Sequence, residues 1–240
     1  VSGNAGRRAV IGFAAILIAA GGGFFAQRAI TERNSLREAP GAGQLVQNEL
    51  KPEVTPDASE EQPPKHTIPE TLPDIRLPDR TGATKSLEDW NGRPRIINFW
   101  ATWCGPCREE IPLLKSLRKE RAADRLEIIG IAIDERQAVL KYASEIGIDY
   151  PVLIGEQDGY EAAERFGVAM VLPFSVFADS RGRIVSLKIG ELHADEAAYI
   201  LDRIRDVDAN RVALPDARLD IAGKLREMAV ERGRKNAEAG

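Results

Sequence analysis

Residues that build sites are scarce in this chain: its 240 positions include two cysteines and two histidines. Two cysteines cannot make a framework of several disulfides. A structural zinc site needs four ligands, and His66 and His193 stand far from the cysteines and from each other in sequence, so no metal site is expected. An excess of one charge is missing too. With 33 basic and 37 acidic residues the net charge is −4, and no basic stripe with interleaved aromatics occurs, which excludes a nucleic-acid partner. There are no internal repeats. What remains is a globular composition, 43% hydrophobic and 29% charged, in a chain long enough for one domain plus accessory segments.

Long apolar runs are also few. One, AVIGFAAILIAAGGGFFA at 9–26, is uncharged and falls within the roughly 17–25 residues that span a bilayer. An uncleaved anchor is expected rather than a cleaved signal peptide, because Phe24 and Phe25 stand where cleavage wants small residues. Arg7 and Arg8 ahead of the run favour a cytoplasmic N-terminus, a bias that Arg28, Arg33 and Arg37 weaken. The expected place is a bacterial inner membrane, crossed once, with the folded domain in the periplasm, where disulfides persist.

Four segments follow. Residues 1–30 form a cytoplasmic stub and anchor, and 31–70 a Pro/Glu-rich tether with no apolar period. Residues 71–208 carry the pattern of a folded domain. DIRLPDRTGATKSLEDW reads as a hairpin turning at Arg80–Thr81–Gly82, PRIINFWAT (94–102) as a buried strand, and 105–121 as a helix. LEIIGIAID (126–134) is the continuous apolar run of a parallel strand. A helix closing at Gly147, a strand DYPVLIG, a short helix GYEAAERFG, a hairpin turning at Ser180–Arg181–Gly182 and a final helix complete the order βαβαβαββα. That order predicts an α/β fold, a mixed sheet flanked by helices with right-handed crossovers. Residues 209–240 form a charged tail in which Leu214, Leu219, Ile221, Leu225 and Met228 make a modest helical stripe. A solvated or lightly docked helix is expected there, with a partner-binding helix as the alternative.

Both cysteines lie in NFWATWCGPCREEIP, where a strand gives way to a helix near Cys104. The first turn of a helix leaves N–H groups unpaired and its dipole favours negative charge, so a thiolate at Cys104 would be stabilised and its pKa lowered. Cys107 follows on the same helix face, within disulfide reach. Pro106 sits where a missing N–H costs nothing. A structural bridge across so short a loop would stabilise little, and two core cysteines have no reason to choose a corner beside Gly105–Pro106. Redox chemistry of the Cys104–Cys107 pair is the reading the residues favour.

FWATWCGPCREEIP resembles the active site of thioredoxin-fold proteins, and residues 72–207 are similar to the membrane-anchored TlpA/ResA branch. Cys-Gly-Pro-Cys matches thioredoxin, whose couple is reducing at about −270 mV. Pro112 falls where the family's active-site helix bends. VLPFSVF places Pro173 where the family has a cis-proline, although X–Pro bonds are mostly trans. The DYPVLIG…YEAAERFG unit is similar to the insertion of this branch. Asn98 stands where thioredoxin has a buried aspartate and cannot titrate. Glu110 matches a glutamate of ResA-like proteins near the thiols, with a solvated, partly exposed helix carboxylate as the other reading; Glu109 is expected to face solvent.

The resemblance implies a protein disulfide reductase without cofactor. Cys104 is the attacking thiolate and Cys107 the resolving thiol. Trp103, Gly105, Pro106, Leu172 and Pro173 form the surface that meets the client, while Asn98 and Pro112 have structural places beside the site. Implied clients are apocytochrome c or copper-site proteins of oxidase assembly, and the implied electron source is a membrane donor of the DsbD/CcdA kind. The alternatives are a non-catalytic binding module and, less favoured, a thiol peroxidase, since the threonine-and-proline setting of a peroxidatic cysteine is absent.

Overall fold

The structure, a computed structural model, describes residues 68–169 and 171–239. The apolar run 9–26 and the tether up to residue 67 lie outside the described residues. Among the described residues, no helix is long and apolar enough to cross a membrane.

The chain opens with a small hairpin, β1 (Arg76–Pro78) antiparallel to β2 (Thr84–Ser86). Its turn is held by Asp79, whose Oδ1 accepts the N–H groups of Thr81 and Ala83 at 2.7 and 3.1 Å, an Asx-type closure. A 3₁₀ turn at Leu87–Trp90 leads to the main unit. This comprises β3 (Arg95–Trp100), α1 (Gly105–Glu120), β4 (Glu127–Ala132), α2 (Arg136–Glu145), β5 (Val152–Ile154) and α3 (Gln157–Glu164). Then come β6 (Phe174–Ala178), β7 (Ile184–Ile189), α4 (Ala194–Asp208) and α5 (Leu214–Ala239). The five-stranded sheet has the order β5-β4-β3-β6-β7. β3, β4 and β5 run parallel, joined by helices because parallel neighbours need long crossovers. β6 runs antiparallel to both β3 and β7.

Strands β3 and β4 are buried along their whole length, which explains their unbroken apolar runs. The two-residue strand period still sorts their side chains. Ile96, Trp100, Ile128 and Ala132 face α1, α2 and α4, with Ile111, Leu114, Val139 and Ile200 opposite. Ile97, Phe99, Ile129 and Ile131 face α3 and the hairpin, where Phe99 stacks on Phe174 at 4.2 Å. By the same alternation Asn98 and its cross-strand partner Ser175 fall on the α1 face, as polar residues 0% and 1% exposed. A buried polar group needs a partner, and that requirement leads to the site.

One element differs from the sequence expectation at its start. Helix α3 begins at Gln157, two residues ahead of the Gly159 start. At the C-terminus, α5 docks its first half through Ala217 and Ile221, both buried. Arg218 fastens it, donating to the Ile184 carbonyl at 2.6 Å and pairing with Glu70 at 2.6 Å. Of the expected stripe, Leu219 points outward and is 74% exposed. The contact runs through Ala217, two residues and half a helical turn away, whose small side chain lets the helix approach closely.

Candidate active site

The loop from β3 into α1 is held from both sides. The Ala101 carbonyl accepts the Cys104 N–H at 3.3 Å, and Asp134, just past β4, accepts the Thr102 N–H at 2.9 Å. Cys104 is the N-cap of α1, in extended backbone, and its Sγ accepts the Cys107 N–H at 3.3 Å. A sulfur thus occupies the place that a serine or aspartate oxygen usually takes. Negative charge on it would face unpaired N–H groups and the positive end of the helix. Pro106 sits in the first turn, where it removes no intrahelical bond. Farther on, Pro112 leaves the Arg108 carbonyl without its intrahelical donor while α1 continues to Glu120.

Cys104 and Cys107 are joined by a disulfide with their Cα atoms 5.3 Å apart. Both cysteines are buried, Cys104 at 6% exposure and Cys107 at 0%. The corner is more covered than an exposed strand-to-helix turn would be. The exposed groups are its neighbours Trp103, Gly105, Pro106, Arg108 and Glu109.

Phe99 pairs with Phe174, so residue 173 lies at the sheet edge from which the Cys104 loop departs. The Leu172–Pro173 peptide there is cis. Leu172 packs against the core cluster that contains both cysteines, and Val171 and Ile189 add exposed apolar surface on either side in sequence. These two carried no signal in the sequence beyond being apolar.

Glu110 follows Cys107 by one helical turn, on the buried face of α1, and is 2% exposed. The partly exposed carboxylate considered above is therefore corrected. The spacing 107, 110, 111, 114 places Glu110 inside the apolar stripe. Its Oε1 accepts from Asn98 Nδ2 at 2.6 Å and its Oε2 from the Leu192 N–H at 2.8 Å. Asn98 Nδ2 also donates to Ser175 Oγ at 3.1 Å. Asn98, which cannot titrate, instead supports the group that can. Burial pushes the Glu110 carboxyl up to about 7, against the two hydrogen bonds, which favour the charged form. Glu191 adds to the rise and Lys188 opposes it. Such a group is half protonated at neutral pH and able to take or give a proton. Asp134, Ser175 and Leu192 are parts of this arrangement that the sequence does not mark, since strand register and a distant loop bring them in.

Comparison with known proteins places the family and the fold. The AhpC/TSA family model matches residues 68–187. The thioredoxin-like protein YneN of Bacillus subtilis is 32% identical over 134 residues, 54% of this chain and 76% of that protein. The thiol-disulfide oxidoreductase ResA of Bacillus thuringiensis is 31% identical over 141 residues, 58% of this chain and 80% of that protein. Among solved structures, a thioredoxin from Neisseria meningitidis superimposes with a TM-score of 0.52 at 27% identity, covering 58% of this chain and 93% of that one. The chain belongs to the AhpC/TSA family and is a thioredoxin-fold, ResA-like thiol-disulfide oxidoreductase.

Proposed function

We propose that the protein reduces disulfides in client proteins outside the cytoplasm, held at the membrane by residues 9–26. The observation that carries the reading is the Cys104–Cys107 pair at the N-terminus of α1, one turn ahead of a buried carboxyl with a pKa near 7. In the reduced protein, the Cys104 thiolate attacks one sulfur of a client disulfide. A Cys104–client bond forms, and the other client sulfur leaves as a thiolate that takes a proton from solvent. Cys107 then gives its proton to Glu110 and attacks Cys104 Sγ. The client's second sulfur leaves and is protonated, and the Cys104–Cys107 disulfide is formed. Two electrons have passed to the client, and a membrane donor of the DsbD/CcdA kind returns them to the pair.

The N-cap place of Cys104 supports it as the attacking group, since Cys107 is fully buried and Cys104 is not. Trp103, Gly105, Pro106 and Leu172, with the exposed Val171 and Ile189, supply the surface against which a client strand would lie, and Pro173 is buried behind Leu172. The proposed clients are proteins with paired cysteines kept reduced for haem attachment or copper loading.

Trapping tests the reading. Cys107→Ser keeps the attacking thiol and removes the resolving one, so a tagged variant, acid-quenched in its own cell, should carry clients releasable by reductant. Cys104→Ser should carry few or none. Equal trapping by the two variants would overturn the assignment of nucleophile. Apocytochromes among the captured proteins would point to cytochrome c maturation, and copper-site proteins to oxidase assembly. An empty lane under electron-supplied conditions would favour a binding module over an enzyme.

A further inference from the structure

The loop between β7 and α4 turns three backbone N–H groups toward three different parts of the molecule. Gly190 donates to the Pro173 carbonyl at 2.8 Å, Leu192 to Glu110 Oε2 at 2.8 Å, and His193 to Glu196 Oε2 at 3.1 Å. Gly190 has φ +83°, which glycine adopts without a Cβ penalty. The Leu192 side chain is buried, which seats the loop on the core from below.

Glu196 lies in the first turn of α4 and is 2% exposed. Arg232 reaches it from α5, with Nη2 to Glu196 Oε1 at 2.7 Å. The same guanidinium's Nη1 lies 3.2 Å from both oxygens of Asp195. Lys188 Nζ stands 3.5 Å from the other Glu196 oxygen. None of residues 222–238 is buried, and Leu225, half-buried against the core, precedes Arg232 by two helical turns. A planar fork bridging two adjacent carboxylates is a geometry that a lysine ammonium cannot reproduce.

We propose that Arg232 is a positioning residue for thiol exchange: by clamping Glu196 and Asp195 it fixes the 190–193 loop, and with it the Leu192 N–H on Glu110 and the Gly190 N–H on Pro173. The proposal rests on the reading of Glu110 as the group that handles the resolving thiol's proton. It gives the docked C-terminal helix a role in the chemistry, exerted 36 residues away from Glu196 in sequence. The groups facing Glu110 are Asn98 from β3, Cys107 one turn back on α1, and Tyr150 ahead of β5. The loop side adds the Leu192 N–H, Glu191 and, from β7, Lys188. Loosening the loop withdraws the Leu192 donor, which favours the charged carboxylate, so the proton affinity of Glu110 rises. Lys188, left as the main partner of Glu196, is drawn the same way.

The test uses the full chain and two readouts, the pH profile of client-disulfide reduction and hydrogen exchange at the Leu192 amide. Arg232→Ala should move the inflection upward by about half a unit or more, roughly a threefold change in proton affinity. It should also speed Leu192 exchange at least roughly tenfold. Arg232→Lys should recover only part of either effect. Arg218→Ala, which loosens the same helix at Ile184 and Glu70, should lower the melting temperature and leave both readouts unmoved. An unchanged inflection and unchanged Leu192 exchange in Arg232→Ala, or equal shifts in Arg218→Ala, would overturn the proposal. Faster Leu192 exchange, in a protein whose wild-type inflection survives Glu110→Gln, would support the clamp and overturn the reading of Glu110 instead.

Discussion

Two glutamates flank the 190–193 loop, equally buried at 2% exposure, and the protein treats them in opposite ways. Glu196 meets the guanidinium of Arg232 and the ammonium of Lys188. Glu110 meets two neutral donors, the amide of Asn98 and the N–H of Leu192. A carboxylate paired with cations at close range makes charge-assisted hydrogen bonds that hold structure together. One supported only by neutral donors keeps much of its desolvation penalty, and its proton becomes available near pH 7. The contrast separates a buried acid that ties elements from one that works, without appeal to its neighbourhood in sequence.

The sharpest way to break the comparison is to neutralise each member. Glu110→Gln should slow client reduction at neutral pH by roughly 10²-fold, the lower end of what acid–base help contributes, while Glu196→Gln should keep the rate within a few-fold. Comparable losses from both variants, in single-turnover measurements, would erase the distinction.

Stability against pH gives the next largest effect. The folded pKa of Glu110 lies above its ordinary value of 4.5, at about 7, so between these limits the native state holds a proton that the unfolded chain has released. Its contribution is therefore complete below pH 4.5 and is lost as pH rises through 7. Urea unfolding of the wild type should show about 2 kcal/mol less stability at pH 7.5 than at pH 5 from this group. In Glu110→Gln that slope should vanish.

A smaller effect sharpens the comparison from the strand side. Asn98→Asp places a carboxyl beside position 110. In a Glu110→Gln background it should restore about tenfold of the lost rate, because a titrating group then stands within reach of the same thiol. No recovery, with the fold intact by circular dichroism, would mean that position 110 acts through something other than a proton. Smallest of all, Glu196→Gln should cost about 1 kcal/mol, since Arg232 is 30% exposed and regains water when its partner loses charge. Chemical denaturation would measure it.

Much of this was readable beforehand. Two cysteines three positions apart, with Gly105–Pro106 between them after an apolar strand, define their own chemistry. The runs around Phe99 and Ile129 announce strands buried on both faces. Pro173 is different, because nothing in its sequence distinguishes a cis from a trans bond, and only the family resemblance pointed there. Glu110 was half legible: its spacing from Cys107 and Ile111 puts it on the buried stripe, but adjacent Glu109 offers the same chemistry on the exposed side. The supports of Glu110 could not be read at all. Ser175 arrives by cross-strand register, Leu192 through a backbone group, and Arg232 from the far half of a helix that docks through its first turns. Long-range pairing of that kind leaves no local period.

The central claim, a buried carboxyl poised at neutral pH behind the resolving cysteine, is tested most directly by titrating the Glu110 side chain itself. Carbon-13 NMR of labelled glutamate carboxyls, with the Glu110→Gln spectrum assigning the resonance, would follow it in the oxidised protein from pH 4 to pH 9. The account predicts a midpoint near 7. A midpoint in the ordinary carboxylate range, near 4.5, would show that the two neutral hydrogen bonds outweigh burial, and would contradict it.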